Sequence, residues 1–258
     1  MQALFADENV AVREFGAGPP LVLLHSLLAD ATSFDPVVPA LSRDFRVLVV
    51  DLPGFGGSAS VPGGLEAVAD RVGEAVRAAT GGRPAAGLGN GYGGFVLLLC
   101  ALRHPELFDR LIFADCGACF SEPGREAFRG MARVAGERGL PALAETAMRR
   151  LFAPAFQAAH PALMAERRAA FLRTDIGVFQ NACAALAGLD LRPRLAEVRA
   201  SALVLVGEHD EATPPAMARE LAAGLADARF VMLPDCAHVP QLQAPEMFAR
   251  ETLDFLQR

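Results

Sequence analysis

Apolar residues gather in short continuous runs at 21–25, 45–51, 84–88, 111–115, 202–207 and 229–233, each bounded by Gly, Pro, Asp or similar turn residues. Runs of this length and boundary fit strands covered on both faces, as in a parallel sheet. Between them apolar positions recur at helical spacing over 36–43, 65–79, 92–103, 216–225 and 245–257. Ahead of these, residues 2–5 and 10–15 alternate apolar and polar around Asp7-Glu8-Asn9, which predicts an edge hairpin. Strands alternating with helices predict right-handed βαβ units in one doubly wound, mostly parallel sheet of eight strands. Residues 1–258 are therefore read as a single α/β domain.

One stretch breaks the alternation. Over 122–195 no strand pattern occurs, only helical segments punctuated by Gly139, Pro141, Pro154, Pro161 and Gly188. Phe128, Phe152, Phe156, Phe171 and Phe179 stud this region, with Phe120 just ahead of it, and their spacing suits core packing for most of them. A helical insertion between two sheet strands predicts a lid over the carboxyl ends of the strands, where open α/β sheets bind ligands.

Composition narrows the function classes. A 52% hydrophobic, 21% charged chain has material for a large core, and its net charge of −6 argues against a nucleic-acid or anionic-membrane surface. No uncharged apolar run reaches the ~18 residues of a membrane span. The start, Met1-Gln2-Ala3-Leu4, lacks the basic and apolar regions of a signal peptide. Cys116 and Cys119 stand three apart with no second pair to complete a zinc site. The five cysteines read as reduced, buried thiols of a cytoplasmic protein. A small-molecule substrate or ligand is the expected partner, without metal or cofactor, and a homodimer is left open.

The stretch Ala86-Gly87-Leu88-Gly89-Asn90-Gly91-Tyr92-Gly93-Gly94-Phe95 reads as strand end, sharp glycine turn and helix start. Its G-x-x-x-G outline resembles the nucleophile elbow of the α/β-hydrolases, G-x-S-x-G, with Gly91 at the nucleophile position. Other segments carry the same resemblance in the same order. Leu24-His25-Ser26-Leu27 resembles their oxyanion loop, and Asp51-Leu52-Pro53-Gly54-Phe55-Gly56-Gly57-Ser58 their D-x-P-G-x-G-x-S turn. Gly207-Glu208-His209-Asp210 with Pro214 resembles the segment bearing the acid, and Cys236-Ala237-His238-Val239-Pro240 the one bearing the histidine. Among subfamilies the chain looks most like β-ketoadipate enol-lactonases and related small-ester and lactone hydrolases. The resemblance implies the α/β-hydrolase fold with an inserted helical lid.

It also implies roles. His238 would be the base and Asp210 its orienter, with Glu208, Glu211 and Asp235 as nearby competitors and Asp115 as a reserve acid. Backbone N–H groups of Leu27 and Tyr92 would form an oxyanion hole, which does not depend on a serine side chain. His25, His104 and Asp51 read as structural, and Cys100 and Cys236 as buried. Ser26 is the nearest alternative hydroxyl, but nothing in the sequence turns its Oγ toward His238.

Gly91 leaves several readings open. The Asp210–His238 pair could activate a water lodged in the space left at position 91, or abstract a proton from an acidic substrate. The fold could instead serve as a binding protein without catalysis. A fourth reading is an engineered Ser-to-Gly variant of a serine hydrolase.

Overall fold

The computed structural model describes residues 2–5 and 9–258; the Asp7-Glu8 part of the expected hairpin turn lies outside them. The strands are β1 (Gln2–Phe5), β2 (Val10–Phe15), β3 (Pro20–Leu24), β4 (Arg46–Val50), β5 (Ala85–Asn90), β6 (Phe108–Ala114), β7 (Ser201–Gly207) and β8 (Ala228–Leu233). They form one sheet in the order β1-β2-β4-β3-β5-β6-β7-β8. β1 and β2 pair antiparallel, as do β2 and β4, and every later pairing is parallel.

Side-chain alternation along the central strands sorts the apolar runs into two cores. Leu21, Leu23, Val47, Val49, Ile112, Leu203 and Leu205 face one side, against Phe34, Leu41, Phe248 and Phe255. Val22, Leu24, Leu48, Val50, Val204 and Val206 face the other, against Val72, Val76, Phe95 and Leu221. Each such side chain, fully buried, contributes roughly 1.5–3 kcal/mol of hydrophobic stabilisation. Double-sided coverage explains why these strands read as unbroken apolar runs.

The helices are α1 (Val38–Leu41), α2 (Leu65–Thr80), α3 (Tyr92–Arg103), α4 (Glu122–Arg138), α5 (Ala144–Leu151), α6 (Pro154–Ala159), α7 (Pro161–Leu172), α8 (Ile176–Gly188), α9 (Pro215–Gly224), α10 (Pro240–Gln243) and α11 (Pro245–Leu256). The helix expected over 36–43 shrinks to the single turn of α1. Val37 and Val38 are β-branched and disfavour a longer helix, and the Ser42 N–H already closes back on the Val38 carbonyl. No described helix is long and apolar enough to cross a membrane.

Helices α4 to α8 lie between β6 and β7. Phe152, Phe171 and Phe179 are fully buried, and Phe120 meets Phe128 edge-on at 4.7 Å between ring centroids. This insertion has an attachment away from its chain ends. The buried Arg167 of α7 reaches Asp30 at 3.3 Å and Thr32 at 3.0 Å, and Arg173 reaches Asp30 at 2.9 Å.

Candidate active site

The β5–α3 turn is shaped by backbone contact. A Cβ on Gly89 would lie 2.4 Å from the Gly93 carbonyl oxygen, and one on Gly93 would lie 2.2 Å from that of Leu24. Neither position can carry a side chain. Between them Gly91 sits at φ 52°, ψ −117°, a conformation that L residues rarely adopt. Its N–H donates to the Ala114 carbonyl at 2.9 Å, and the Gly93 N–H ties the turn to the His25 carbonyl at 3.0 Å.

His238 stands in the loop after β8 and is buried. Its Nδ1 lies 2.9 Å from Asp210 Oδ2, so Nδ1–H donates and Nε2 is left as an acceptor. Asp210 is held by four donors: the N–H groups of Ala212 and Thr213 on Oδ1, and Thr213 Oγ1 and His238 Nδ1 on Oδ2. Burial pushes its carboxyl upward, but His238 and these donors more than offset that, and the net shift is downward. Glu208 and Asp235, expected as competitors, are exposed and pair with each other through the Asp235 N–H.

Asp115, the reserve acid, makes no hydrogen bond to His238. It is fully buried at the end of β6 with φ 50°, and its Oδ1 accepts the Gly207 N–H at 2.8 Å. Burial and the neighbouring Asp210 charge push its pKa well above the usual aspartate value. The two neighbouring carboxyls are thus pushed in opposite directions, Asp210 down and Asp115 up. Ligand atoms of Asp115, Asp210 and His238 lie within 4.8 Å of one another; Asp210 and His238 are bonded to each other, and Asp115 is bonded separately to the Gly207 N–H.

Two expectations need correction. The vacant space anticipated at position 91 is occupied: a Cβ there would lie 2.6 Å from His238 Nε2 and 2.6 Å from Ser26 Oγ. And Ser26 does face the histidine, its Oγ standing 3.2 Å from Nε2, buried. With Nδ1–H committed to Asp210, Ser26 Oγ–H is the donor and Nε2 the acceptor. The Ser26 carbonyl accepts from Ala29 N–H at 3.2 Å and from His25 Nδ1 at 3.0 Å, while His25 Nε2 accepts the Leu52 N–H at 3.2 Å. His25 therefore braces the loop, as the sequence suggested. Asp51 ties its turn through the Gly57 N–H at 2.8 Å, and His104 pairs with Asp70 at the end of α3.

The backbone N–H groups of Leu27 and Tyr92 have no hydrogen-bond partner among the described residues. Both residues border a cavity together with Ser26, Gly91 and His238. Phe128, Met131 and Leu186 of the insertion cover it, with Phe120 just ahead of α4. It offers about 30 Å3 to water centres, room for about two waters. Arg150 of α5 also borders it, without a hydrogen-bond or ion-pair partner among the described residues. Burial lowers the Arg150 pKa, but a guanidinium keeps its charge. The cysteines offer no competing nucleophile: all five are buried, and burial pushes Cys236 up to about 11 and Cys100 up to about 12.

Sequence reading missed Ser26's orientation, Arg150 and Asn90. The Asn90 amide, fully buried, donates to the His238 carbonyl at 2.9 Å and receives Gln241 Nε2 at 3.0 Å, clamping the histidine loop to β5. Its place beside the G-x-x-x-G turn was the only available signal.

Residues 21–251 match the model of the alpha/beta hydrolase family. The chain belongs to that family. Among its relatives, a pimeloyl-[acyl-carrier protein] methyl ester esterase of Aeromonas hydrophila is 31% identical over 259 residues, covering 93% of this chain and 96% of that protein. The 3-oxoadipate enol-lactonase 2 of Acinetobacter baylyi is 26% identical over 233 residues, covering 89% and 85%. Among solved alpha/beta hydrolase structures, the enol-lactonase of Burkholderia xenovorans superposes over all of both chains with a TM-score of 0.91 at 30% identity.

Proposed function

We propose that this protein hydrolyses a small ester or lactone, with His238 as general base, Asp210 as its orienter, and the Leu27 and Tyr92 N–H groups as oxyanion donors. One observation carries the reading. His238 is held by Asp210 through Nδ1 and turns Nε2 toward a cavity bordered by the two unpartnered backbone donors. A base at Nε2 can take a proton from an attacking oxygen and return it to a leaving oxygen within one cycle. The oxyanion donors stabilise the charge that develops between those steps, an interaction worth ~2.7–4 kcal/mol per donor in hydrolases where it has been removed. The methyl ester and enol-lactone activities named for relatives support this substrate class. Arg150, cationic and unpaired in the cavity wall, favours a substrate that carries a carboxylate.

The test is hydrolysis of short-chain p-nitrophenyl esters and simple lactones by the protein and by His238→Ala. The expected outcome is turnover that falls about 10²–10⁴-fold in the variant. Equal rates in both, or none in either, would overturn the reading; binding of a lactone without turnover would make the chain a binding member of the family.

A further inference from the structure

We propose that the nucleophile of this hydrolase is Ser26, in the oxyanion loop, and that the reaction passes through an acyl–Ser26 intermediate. This rests on the hydrolase reading above but names the attacking atom, which that reading leaves open.

Four observations converge. Ser26 Oγ lies 3.2 Å from His238 Nε2, within hydrogen-bond reach of the base that is itself oriented by Asp210 at 2.9 Å. The same oxygen lies 2.6 Å from where a Cβ on Gly91 would stand, so it fills the space that a side chain in the β5–α3 turn would need. Gly91, having no side chain, leaves Ser26 on the wall of the cavity. The other hydroxyl at the imidazole, Thr213 Oγ1, stands on the Nδ1 side and donates to Asp210 at 2.6 Å, so it is already used.

The backbone geometry also suits the exchange. In a serine hydrolase of this fold, one oxyanion donor is the N–H of the residue that follows the nucleophile. Tyr92 stands in that relation to position 91, and Leu27 stands in it to Ser26. Moving the hydroxyl from one loop to the other therefore keeps a following N–H beside the nucleophile. The Ser26 peptide is fixed for this by Ala29 N–H and the His25 ring, so its side chain is presented from a braced loop.

The steps balance without a further reactant except water. His238 Nε2 takes the Ser26 hydroxyl proton as Oγ bonds to the substrate carbonyl carbon, and the carbonyl oxygen becomes an oxyanion facing the Leu27 and Tyr92 N–H groups. The C–O bond to the leaving oxygen then breaks, and that oxygen receives the proton from Nε2, giving acyl–Ser26 and an alcohol. In a lactone the alcohol stays tethered to the acyl group. Water next gives a proton to Nε2 as its oxygen attacks the acyl carbon. The Ser26 ester bond breaks, Oγ recovers the proton, and a carboxylic acid leaves.

The experiment combines a fluorophosphonate probe, peptide mass spectrometry and p-nitrophenyl acetate kinetics on the protein, Ser26→Ala and Ser26→Cys. The expected result is a phosphonyl adduct on the peptide holding Ser26, absent from Ser26→Ala. Acetate-ester hydrolysis should drop at least about 10²-fold in Ser26→Ala. In Ser26→Cys an acetyl group should accumulate on the new thiol, because a thiol at this site still reaches Nε2. The far-ultraviolet circular dichroism of each variant, matched to the parent, separates loss of the nucleophile from loss of the fold. His238-dependent turnover that survives in Ser26→Ala within threefold, with no adduct on Ser26, would overturn the proposal and make water the nucleophile. Absence of any His238-dependent turnover and of any adduct would overturn the hydrolase reading together with it.

Discussion

Replacing Gly91 by alanine tests the crowding at the β5–α3 turn without any assumption about substrate. The new Cβ would lie 2.6 Å from both His238 Nε2 and Ser26 Oγ and 3.1 Å from Ser26 Cβ. Non-bonded carbon contacts settle at ~3.5–4.0 Å, so the imidazole and the serine must both give way. Overpacking of that kind costs about 1–3 kcal/mol. The backbone at φ 52°, ψ −117° adds a second cost, about 1–3 kcal/mol for a residue other than glycine. The loss of unfolded-state freedom on going from Gly to Ala returns about 0.4–1 kcal/mol. The net expectation is a destabilisation of about 1–6 kcal/mol, which at ~2–4 °C per kcal/mol for a chain of this size lowers the thermal midpoint by roughly 2–22 °C. Scanning calorimetry at neutral pH measures it. The companion Ser26→Gly removes one of the two obstructing side chains. A double-mutant cycle should therefore show Gly91→Ala less costly in that background by at least ~0.5 kcal/mol. A thermal midpoint within 1 °C of the parent, or strict additivity in the cycle, would refute the packing described here.

Two further substitutions probe the charges. In Asp115→Asn the buried acid is replaced by an amide that does not titrate. Because the folded pKa of Asp115 is raised, its contribution is complete below the unfolded value of about 3.9 and is lost as pH rises through the folded value. The variant escapes that loss, so its midpoint should gain on the parent as pH rises from 4 to 8 in calorimetry; a difference independent of pH would contradict the raised Asp115 pKa. In Arg150→Met the unpaired guanidinium is removed while its bulk is kept. KM for esters bearing a carboxylate should rise about tenfold or more, with neutral esters little changed. Equal effects on both would show that Arg150 acts through packing alone.

Much of this molecule could be read from its residues, for reasons the structure makes plain. Leu21 to Leu24 read as a buried strand because alternate side chains fill different cores, which removes every polar position. Asp210 and His238 were legible because each sits in a short loop at a strand end, where local sequence fixes its place. Ser26 was not, because its role depends on the side-chain directions of two residues 212 positions apart in the chain. Asn90 looked like an arbitrary turn neighbour until the fold placed the His238 carbonyl 2.9 Å from its amide. Arg150 belongs to an insertion whose helices show spacing but not which face meets the sheet edge.

The bond from α7 to Asp30 has a consequence for engineering by exchange of parts. The insertion enters and leaves the sheet between β6 and β7, which suggests two splice points for a graft from another family member. Arg167 and Arg173 make a third joint, on a carboxylate four residues beyond Ser26. A graft that ignores it leaves the half-buried Asp30 beside Thr32 without either cation, and a partly desolvated charge stripped of its partners destabilises the segment that holds it. Asp30 and Thr32 should travel with the helices, as one replaceable unit that also sets the shape of the loop beneath.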